Sequence, residues 1–266
     1  MKRVLIVYNS QKPLAIEFYN EVKVYLESKG IEILDSSYVE RADFVVVIGG
    51  DGTLIGASKL LIGSKIPVIA INLGSLGFLT EIKREEAFDT FDDFLAGNFT
   101  YEERKFMEIK INTKKVYALN DVVLSKGGVN VRMVALNLYA DDIYVNTYKA
   151  DGIIVSTPTG STAYSLSAGG PIIMPNLDAM AITPIAPHTL SARPIIMDGR
   201  KKITFEVLDK DRELQLMIDG QTNFLISGNN QVELTMSRLG LLLVKPKERD
   251  YYSVLREKLK WGDKLC

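Results

Sequence analysis

Gly49-Gly50-Asp51-Gly52-Thr53 places one carboxylate among three glycines and a hydroxyl. Glycines let backbone N–H groups approach a ligand closely, and a helix N-terminus favours an anion. A carboxylate in such a phosphate cradle is electrostatically out of place unless it has a task. It could accept the proton of an attacking hydroxyl, or hold a metal carried by the phosphates. A strand–turn–helix junction with a simple turn aspartate would carry the same residues.

Other stretches could also meet a ligand. The amide of Asn120 suits a two-point match with adenine at N6 and N7, and the adjacent Asp121 could take ribose hydroxyls. An Asx turn before a strand is the plainer use of that pair. Lys149-Ala150-Asp151-Gly152 fits a charged β-turn. Ser156–Ser167 is rich in hydroxyls, offers a stacking face at Tyr164 and carries no charge, which reads as a packed segment rather than a solvated linker. His188 is the single histidine, so no multi-histidine metal site exists in one chain, and it reads as a core or capping residue. GxxxxGK[ST] is absent, as are GxGxxG after the first strand and the protein-kinase motif set.

The elements that must position these residues follow from periodicity. Phe44–Ile48 is a β-branched run suited to a strand buried on both faces of a parallel sheet. A helix over Leu54–Ile62 follows, with Thr53 as its cap. Strands at Val4–Tyr8, Ile31–Leu34 and Pro67–Asn72 alternate with helices at Pro13–Ser28 and Ala87–Leu95. This predicts an α/β N-terminal domain with a Rossmann-like parallel sheet over residues 1–98. Ligands bind beyond the carboxyl ends of such strands, so Asp51 and the Gly74–Gly77 loop are expected to share a crevice. From Thr100 short alternating runs dominate: Met107–Ile111, Val116–Leu119, Val122–Leu124, Ala135–Ala140, Ile143–Tyr148, Ile153–Ser156, Ile203–Val207, Leu214–Ile218, Gln231–Met236 and Leu241–Val244. They predict a β-rich, sandwich-like domain over 99–246. The tail, 247–266, is expected to form a helix with Tyr252, Leu255 and Leu259 on one face, returning to the N-terminal domain.

The chain has 266 residues, 47% of them hydrophobic, and a formal net charge of −1. That supports a sizeable core and argues against nucleic acid or an anionic membrane surface as partners. Cys266 is the single cysteine, which fits a reducing, cytoplasmic compartment. No stretch approaches the ~18 apolar residues of a membrane helix, and the short run in MKRVLIVYNS reads as a first strand rather than a leader.

Taken in order, Gly49–Thr53, Asn72–Thr80, Asn120-Asp121, Lys149–Gly152, Ser156–Ser167, Pro187–Ser191, Asp219-Gly220-Gln221 and the tail Tyr251–Arg256 resemble the NAD kinase family. Gly-Gly-Asp-Gly-Thr alone also occurs in lipid kinases and phosphofructokinases; the whole series is specific. The resemblance implies transfer of the γ-phosphoryl group of ATP, or of another phosphoryl donor, to the 2′-hydroxyl of the adenosine ribose of NAD, giving NADP. It implies Asp51 as base, with Gly49, Gly50, Gly52 and Thr53 on the phosphates. NAD contacts are implied for Asp51, Gly52, Asn120, Asp121, Arg132, Lys149, Asp151, Thr159, Thr162, Ala163, Tyr164, Ser165, Leu166, Ser167, Ala186 and Gln221. Lys149 stands where many members have arginine, and Ala186 where many have an aromatic residue. The cofactor implied is a divalent cation, Mg²⁺, carried with ATP, and the assembly a homodimer or homotetramer. No cation cluster is visible near Gly49–Thr53, so the loop N–H groups, the helix dipole and Mg²⁺ are expected to stabilise the transferring group. A lipid kinase is one rival, although no amphipathic membrane stretch is present. A non-catalytic dinucleotide sensor is the other, but would be expected to lack Asp51.

Overall fold

The computed structural model describes residues 1–126, 133–189, 191–209, 213–227, 230–246 and 249–261. The chain divides into two compact units, Met1–Glu103 with Leu241–Cys266, and Arg104–Gly240. Its elements in order are β1 (Arg3–Tyr8), α1 (Pro13–Ser28), β2 (Glu32–Leu34), β3 (Phe44–Ile48), α2 (Asp51–Ser58), β4 (Pro67–Asn72), β5 (Ile82–Lys83), α3 (Ala87–Leu95), β6 (Thr100–Ile111), β7 (Lys114–Ala118), β8 (Asp121–Lys126), β9 (Val134–Ala140), β10 (Ile143–Ala150), β11 (Gly152–Ser156), α4 (Tyr164–Ser167), β12 (Ala179–Ile185), β13 (Ile195–Asp198), β14 (Ile203–Val207), β15 (Glu213–Ile218), β16 (Thr222–Ser227), β17 (Val232–Lys245) and α5 (Tyr251–Leu259). The unit boundaries fall inside β6 and β17 rather than at the Gly97-Asn98 turn, because each long strand runs on past the boundary.

In the first unit, β2, β1, β3 and β4 pair in that order, all parallel, and Leu242 and Leu243 of β17 pair in parallel with Pro67 and Val68 of β4. All five residues of β3 are buried, as a strand between two covered faces requires. On one face Val4, Phe44, Val46, Ile48, Ile69 and Ile71 join Ala15, Phe18, Val22 and Leu26 of α1 and Phe91 and Phe94 of α3 in one core. The α1 residues recur every three or four positions and have no exposed surface, each stabilising by ~1.5–3 kcal/mol when large and apolar. The tail helix α5 belongs to this unit, as expected, but buries Tyr251, Val254 and Leu255. Tyr252 is 57% exposed, so the buried stripe is one residue out of phase with the expected one. Asp250 sets that phase by accepting the Ser253 N–H at 3.0 Å as helix cap.

In the second unit β13, β12, β11, β8, β15 and β16 form one antiparallel sheet. A second layer contains β10, β9, β14 and β17, with β6 and β7 as a hairpin. Val122, Leu124, Val155, Ile182 and Leu216 of the first layer share a core with Met107, Leu136, Leu138, Phe205 and Leu234 of the second. This is the sandwich that the alternating runs predict. Three strands were not among the expected ones: β12, β13 and β16. Pro184 lies inside β12, where a missing N–H argues against a strand, yet Pro184 sits opposite Ile153. Gln231–Met236 and Leu241–Val244 prove to be one strand, β17, which runs through Gly240.

Candidate functional site

The site in the first unit begins where β3 ends. Gly49 has φ 156°, and a Cβ there would lie 2.5 Å from Thr53 Oγ1, so the strand can turn this tightly only at glycine. Gly50, in an extended conformation, is the helix cap, and α2 starts at Asp51. Thr53 is therefore inside the helix and does not cap it; its N–H donates to the Gly50 carbonyl at 2.9 Å. The helix starts three residues before the expected Leu54 because glycine at the cap tolerates the extended backbone without side-chain help.

Asp51 thus sits in the first turn of α2, where its charge favours the helix dipole. Its Oδ2 accepts the Phe78 N–H at 2.9 Å. Its Oδ1 accepts the N–H groups of Leu79 (3.2 Å) and Thr80 (3.0 Å) and the Thr80 hydroxyl (2.9 Å). Asn72 completes the network, donating to Thr80 Oγ1 at 2.8 Å and accepting the Gly74 N–H at 2.7 Å. A Cβ on Gly77 would fall 2.0 Å from Asp51 Oδ1. The expected common crevice exists: a cavity of about 420 Å³ is lined by Gly49, Gly50, Asp51, Gly74 and Gly77. A neighbouring hollow of about 440 Å³ is lined by Gly52, Thr53 and Asn9.

Two cations that sequence reasoning missed line this cavity, Lys12 and Lys258. Lys12 borders the second hollow as well. Neither ammonium has an ion-pair or hydrogen-bond partner among the described residues. The sequence shows no rich cation cluster around Gly49–Thr53, and the fold adds these two lysines to the cavity. One lysine comes from the β1–α1 connection and the other from α5, so no local run announces them.

In the second unit Asn120 and Asp121 open β8. The N–H groups of Leu119, Asn120 and Asp121 donate to the Asp219 carboxylate at 2.9, 2.7 and 3.2 Å. Behind them, the Thr157 N–H donates to the Asn120 carbonyl at 2.8 Å and the Thr157 hydroxyl to the Leu119 carbonyl at 2.6 Å. A Cβ on Gly160 would lie 2.0 Å from the Asn120 carbonyl oxygen. Asn120 Oδ1 is buried without a hydrogen-bond partner among the described residues, and so is the Ser156 hydroxyl. Ser156 pairs across the sheet with Asp121. Asp121 is 5% exposed, and burial, then the charge of Asp219, pushes its carboxyl up to about 7.

The remaining candidates fall into two groups. Thr159 and Thr162 bound a 3₁₀ turn, Ala163 links it to α4, and Tyr164, Ser165, Leu166 and Ser167 form α4. Tyr164 is 44% exposed and free to stack, whereas the Ser165 hydroxyl is buried against Thr183 Oγ1 at 3.0 Å. Lys149, Asp151 and Ala186 come together where β10 and β12 end, joined by Asp151 N–H to the Ile185 carbonyl (3.0 Å) and His188 N–H to the Lys149 carbonyl (2.9 Å). Asp151 also accepts Lys126 Nζ at 2.8 Å, and Ala186 has φ 44°. Gln221 follows Asp219 in the β15–β16 turn. Arg132 lies outside the described residues. Among the described residues no group of three or more His, Cys, Asp or Glu side chains could hold a metal ion, and no helix is long and apolar enough to cross a membrane.

Comparison with known proteins places the whole chain in one family. Residues 37–99 match the family described as ATP-NAD kinase N-terminal domain, and residues 119–245 match ATP-NAD kinase C-terminal domain. The NAD kinase of Fusobacterium nucleatum is 45% identical over 267 residues, covering 100% of both chains. That of Geotalea daltonii is 38% identical over 285 residues, covering 99% of this chain and 100% of the relative. A crystal structure of an NAD kinase from Archaeoglobus fulgidus in complex with ATP superposes with a TM-score of 0.81 at 25% identity, over 96% of this chain and 98% of that one. Yeast NADH kinase complexed with NADH shares the fold, with a TM-score of 0.89 at 24% identity over 100% of this chain and 89% of that one.

Proposed function

The chain belongs to the NAD kinase family, and on that premise we propose that Asp51 is the general base of its reaction. The enzyme is a phosphotransferase that uses ATP to phosphorylate NAD, giving NADP. The 2′-oxygen of the adenosine ribose attacks the γ-phosphorus, the bond to the bridging oxygen breaks, and ADP leaves with the electron pair. The observation that carries the role of Asp51 is its unequal use of oxygens. Oδ1 accepts three hydrogen bonds and Oδ2 one, so Oδ2 keeps acceptor capacity for an incoming hydroxyl. Such proton removal is typically worth ~10²–10⁴ in rate.

The donor's phosphates lie against Gly49, Gly50, Gly52 and Thr53 in this reading, with charge balanced by Lys12, Lys258 and the α2 N-terminus. The divalent cation, Mg²⁺, arrives chelated to ATP as part of the substrate, and supplies charge neutralisation on the phosphate oxygens. On the second unit, Asn120 and Asp121 recognise the adenosine, and Thr159 with Thr162–Ser167 lines the adenine and ribose. Lys149, Asp151, Ala186 and Gln221 reach the rest of the dinucleotide. The buried, unpartnered Asn120 Oδ1 supports an adenine amino group as its missing donor. We place the enzyme in the cytoplasm as a homodimer or homotetramer, which sedimentation would test. The assay for the whole reading is NADP formation by the purified protein with ATP, Mg²⁺ and NAD, compared with Asp51→Asn. A variant with near-normal kcat would remove Asp51 from the chemistry.

A further inference from the structure

We propose that Asp219 is the positioning residue of the adenosine site, its carboxylate fixing the backbone of Leu119, Asn120 and Asp121 so that the Asn120 amide and the Asp121 carboxyl are presented in one geometry. The inference rests on the reading that Asn120-Asp121 meets the dinucleotide.

Three consecutive N–H groups converge on one side chain across almost a hundred residues of sequence, at 2.9, 2.7 and 3.2 Å. Hydrogen bonds to a charged acceptor are roughly twice as strong as neutral ones. The bond is reciprocated, since the Asp219 N–H donates to the Asp121 carbonyl at 2.9 Å. Asp219 reaches this place from the left-handed region, at φ 52°, which aspartate tolerates better than most residues and which Gly220 continues at φ 65°. From the opposite side Thr157 holds the Leu119 and Asn120 carbonyls, and Gly160 approaches too closely for any side chain. The Asn120 backbone is thus held from both sides while its Oδ1 is buried without a partner. A rigid frame around an unmet acceptor is what preorganised recognition requires, because ordering costs are met before the ligand arrives.

The arrangement also works against stability. Asp219 places a second carboxylate beside a buried one, and its charge adds to burial in pushing Asp121 up to about 7. No other charged group acts on Asp121 among the described residues, and its cross-strand neighbour Ser156 is neutral. Three N–H groups could be satisfied by a neutral acceptor at lower electrostatic cost. The charged clamp therefore fits a binding role better than a purely structural one.

The test is Asp219→Asn in the full-length enzyme. The amide can accept through only one atom and turns a donor toward at least one of the three N–H groups. KM for NAD is expected to rise ~10-fold or more, with KM for ATP within ~2-fold of wild type, as loss of one buried polar match implies. A second readout separates positioning from mere support. The wild-type kcat/KM for NAD is expected to rise with pH through about 7, where the buried Asp121 carboxyl ionises, and in Asp219→Asn that limb is expected at lower pH because one of its two causes is gone. If Asp219→Asn does not fold, Asp219→Glu keeps the charge but lengthens the arm by a methylene, and the same rise in KM for NAD is expected. A wild-type KM for NAD in the folded variant, or an unmoved pH limb, would overturn the proposal. Asn120→Ala keeps the two layers apart: if it leaves KM for NAD unchanged, the adenosine reading itself falls. If Asn120→Ala raises KM for NAD and Asp219→Asn does not, only the positioning role is lost.

Discussion

The oxygens of Asp51 hold the Phe78–Thr80 backbone, so the proposed base would have a structural task as well. Asp51→Asn should therefore lower kcat by ~10²-fold or more and also lower the melting temperature, because an amide turns a donor toward N–H groups and leaving one unmet costs ~1–3 kcal/mol. Steady-state rates beside calorimetric titration with NAD check this; a large change in NAD affinity would contradict it. Gly77→Ala offers a contrast that leaves the base in place. Its methyl group would meet Asp51 Oδ1 at 2.0 Å, so the loop or the carboxylate must shift. Turnover should fall while KM for NAD holds, and a fully active Gly77→Ala would show that the Asp51 geometry is unimportant. Asn120→Ala should behave in the opposite way. Oδ1 has no partner to lose among the described residues, so the melting temperature should hold or rise, while KM for NAD increases roughly tenfold from the loss of one buried match. A hypoxanthine dinucleotide should lose much of its disadvantage in that variant, and an unchanged base preference would return adenine recognition to the 156–167 segment.

At the scale of elements, α5 contributes to the lining of a cavity as well as to packing. Its entry is fastened by Lys245 Nζ to Glu81 Oε1 at 2.6 Å and Glu102 Oε2 at 3.2 Å, and by Arg249 Nη2 to Glu86 Oε1 at 2.9 Å. Val254 and Leu255 then bury one stripe, and Lys258, in the helix's last turn, lines the cavity beside Gly49–Asp51. Lys258→Gln and Lys12→Gln should each raise KM for ATP, on the order of tenfold for a lost charge-assisted contact, and leave KM for NAD unchanged. The effect should shrink as salt is added, because partly exposed charges are screened over ~8–10 Å. Equal loss for both substrates would instead mean that α5 acts only by packing.

At the scale of the whole molecule, the buried Asp121 sets a pH dependence of stability. In the native state this carboxyl keeps its proton up to about 7, whereas in the unfolded chain it ionises near 3.8. Between those values the native state binds more protons, so stability falls as pH rises and levels off above about 7. The total is on the order of a few kcal/mol. Asp121→Asn should remove that decline, and melting curves at pH 5 and pH 8 for both proteins decide it; parallel losses would assign the effect elsewhere. If the cation enters with ATP, as proposed, chelation is expected to stop turnover without moving the melting temperature of the ligand-free protein, since among the described residues no group of three or more His, Cys, Asp or Glu side chains could hold a metal ion. A fall in melting temperature would reveal a resident metal.

Local chemistry was legible in the residues themselves. Phe44–Ile48 had to be a buried strand because its β-branched run has no polar face, and the glycines after it had to turn tightly. The α1 stripe and the alternating runs of the second unit follow from periods of 3.6 and 2 that any chain must obey. Resemblance in order and spacing carried the reaction. Where local rules compete, the tertiary structure decided: Gly50 rather than Thr53 caps α2, and Pro184 is accepted inside β12 because β13 pairs only with Ala179–Ile182, which leaves Pro184 paired on the β11 side alone. The joining of distant residues was not legible at all. Lys12 with Lys258, and Asp219 with Leu119–Asp121, meet only after sheets and helices have packed, and nothing in either segment's own sequence encodes the distance to its partner.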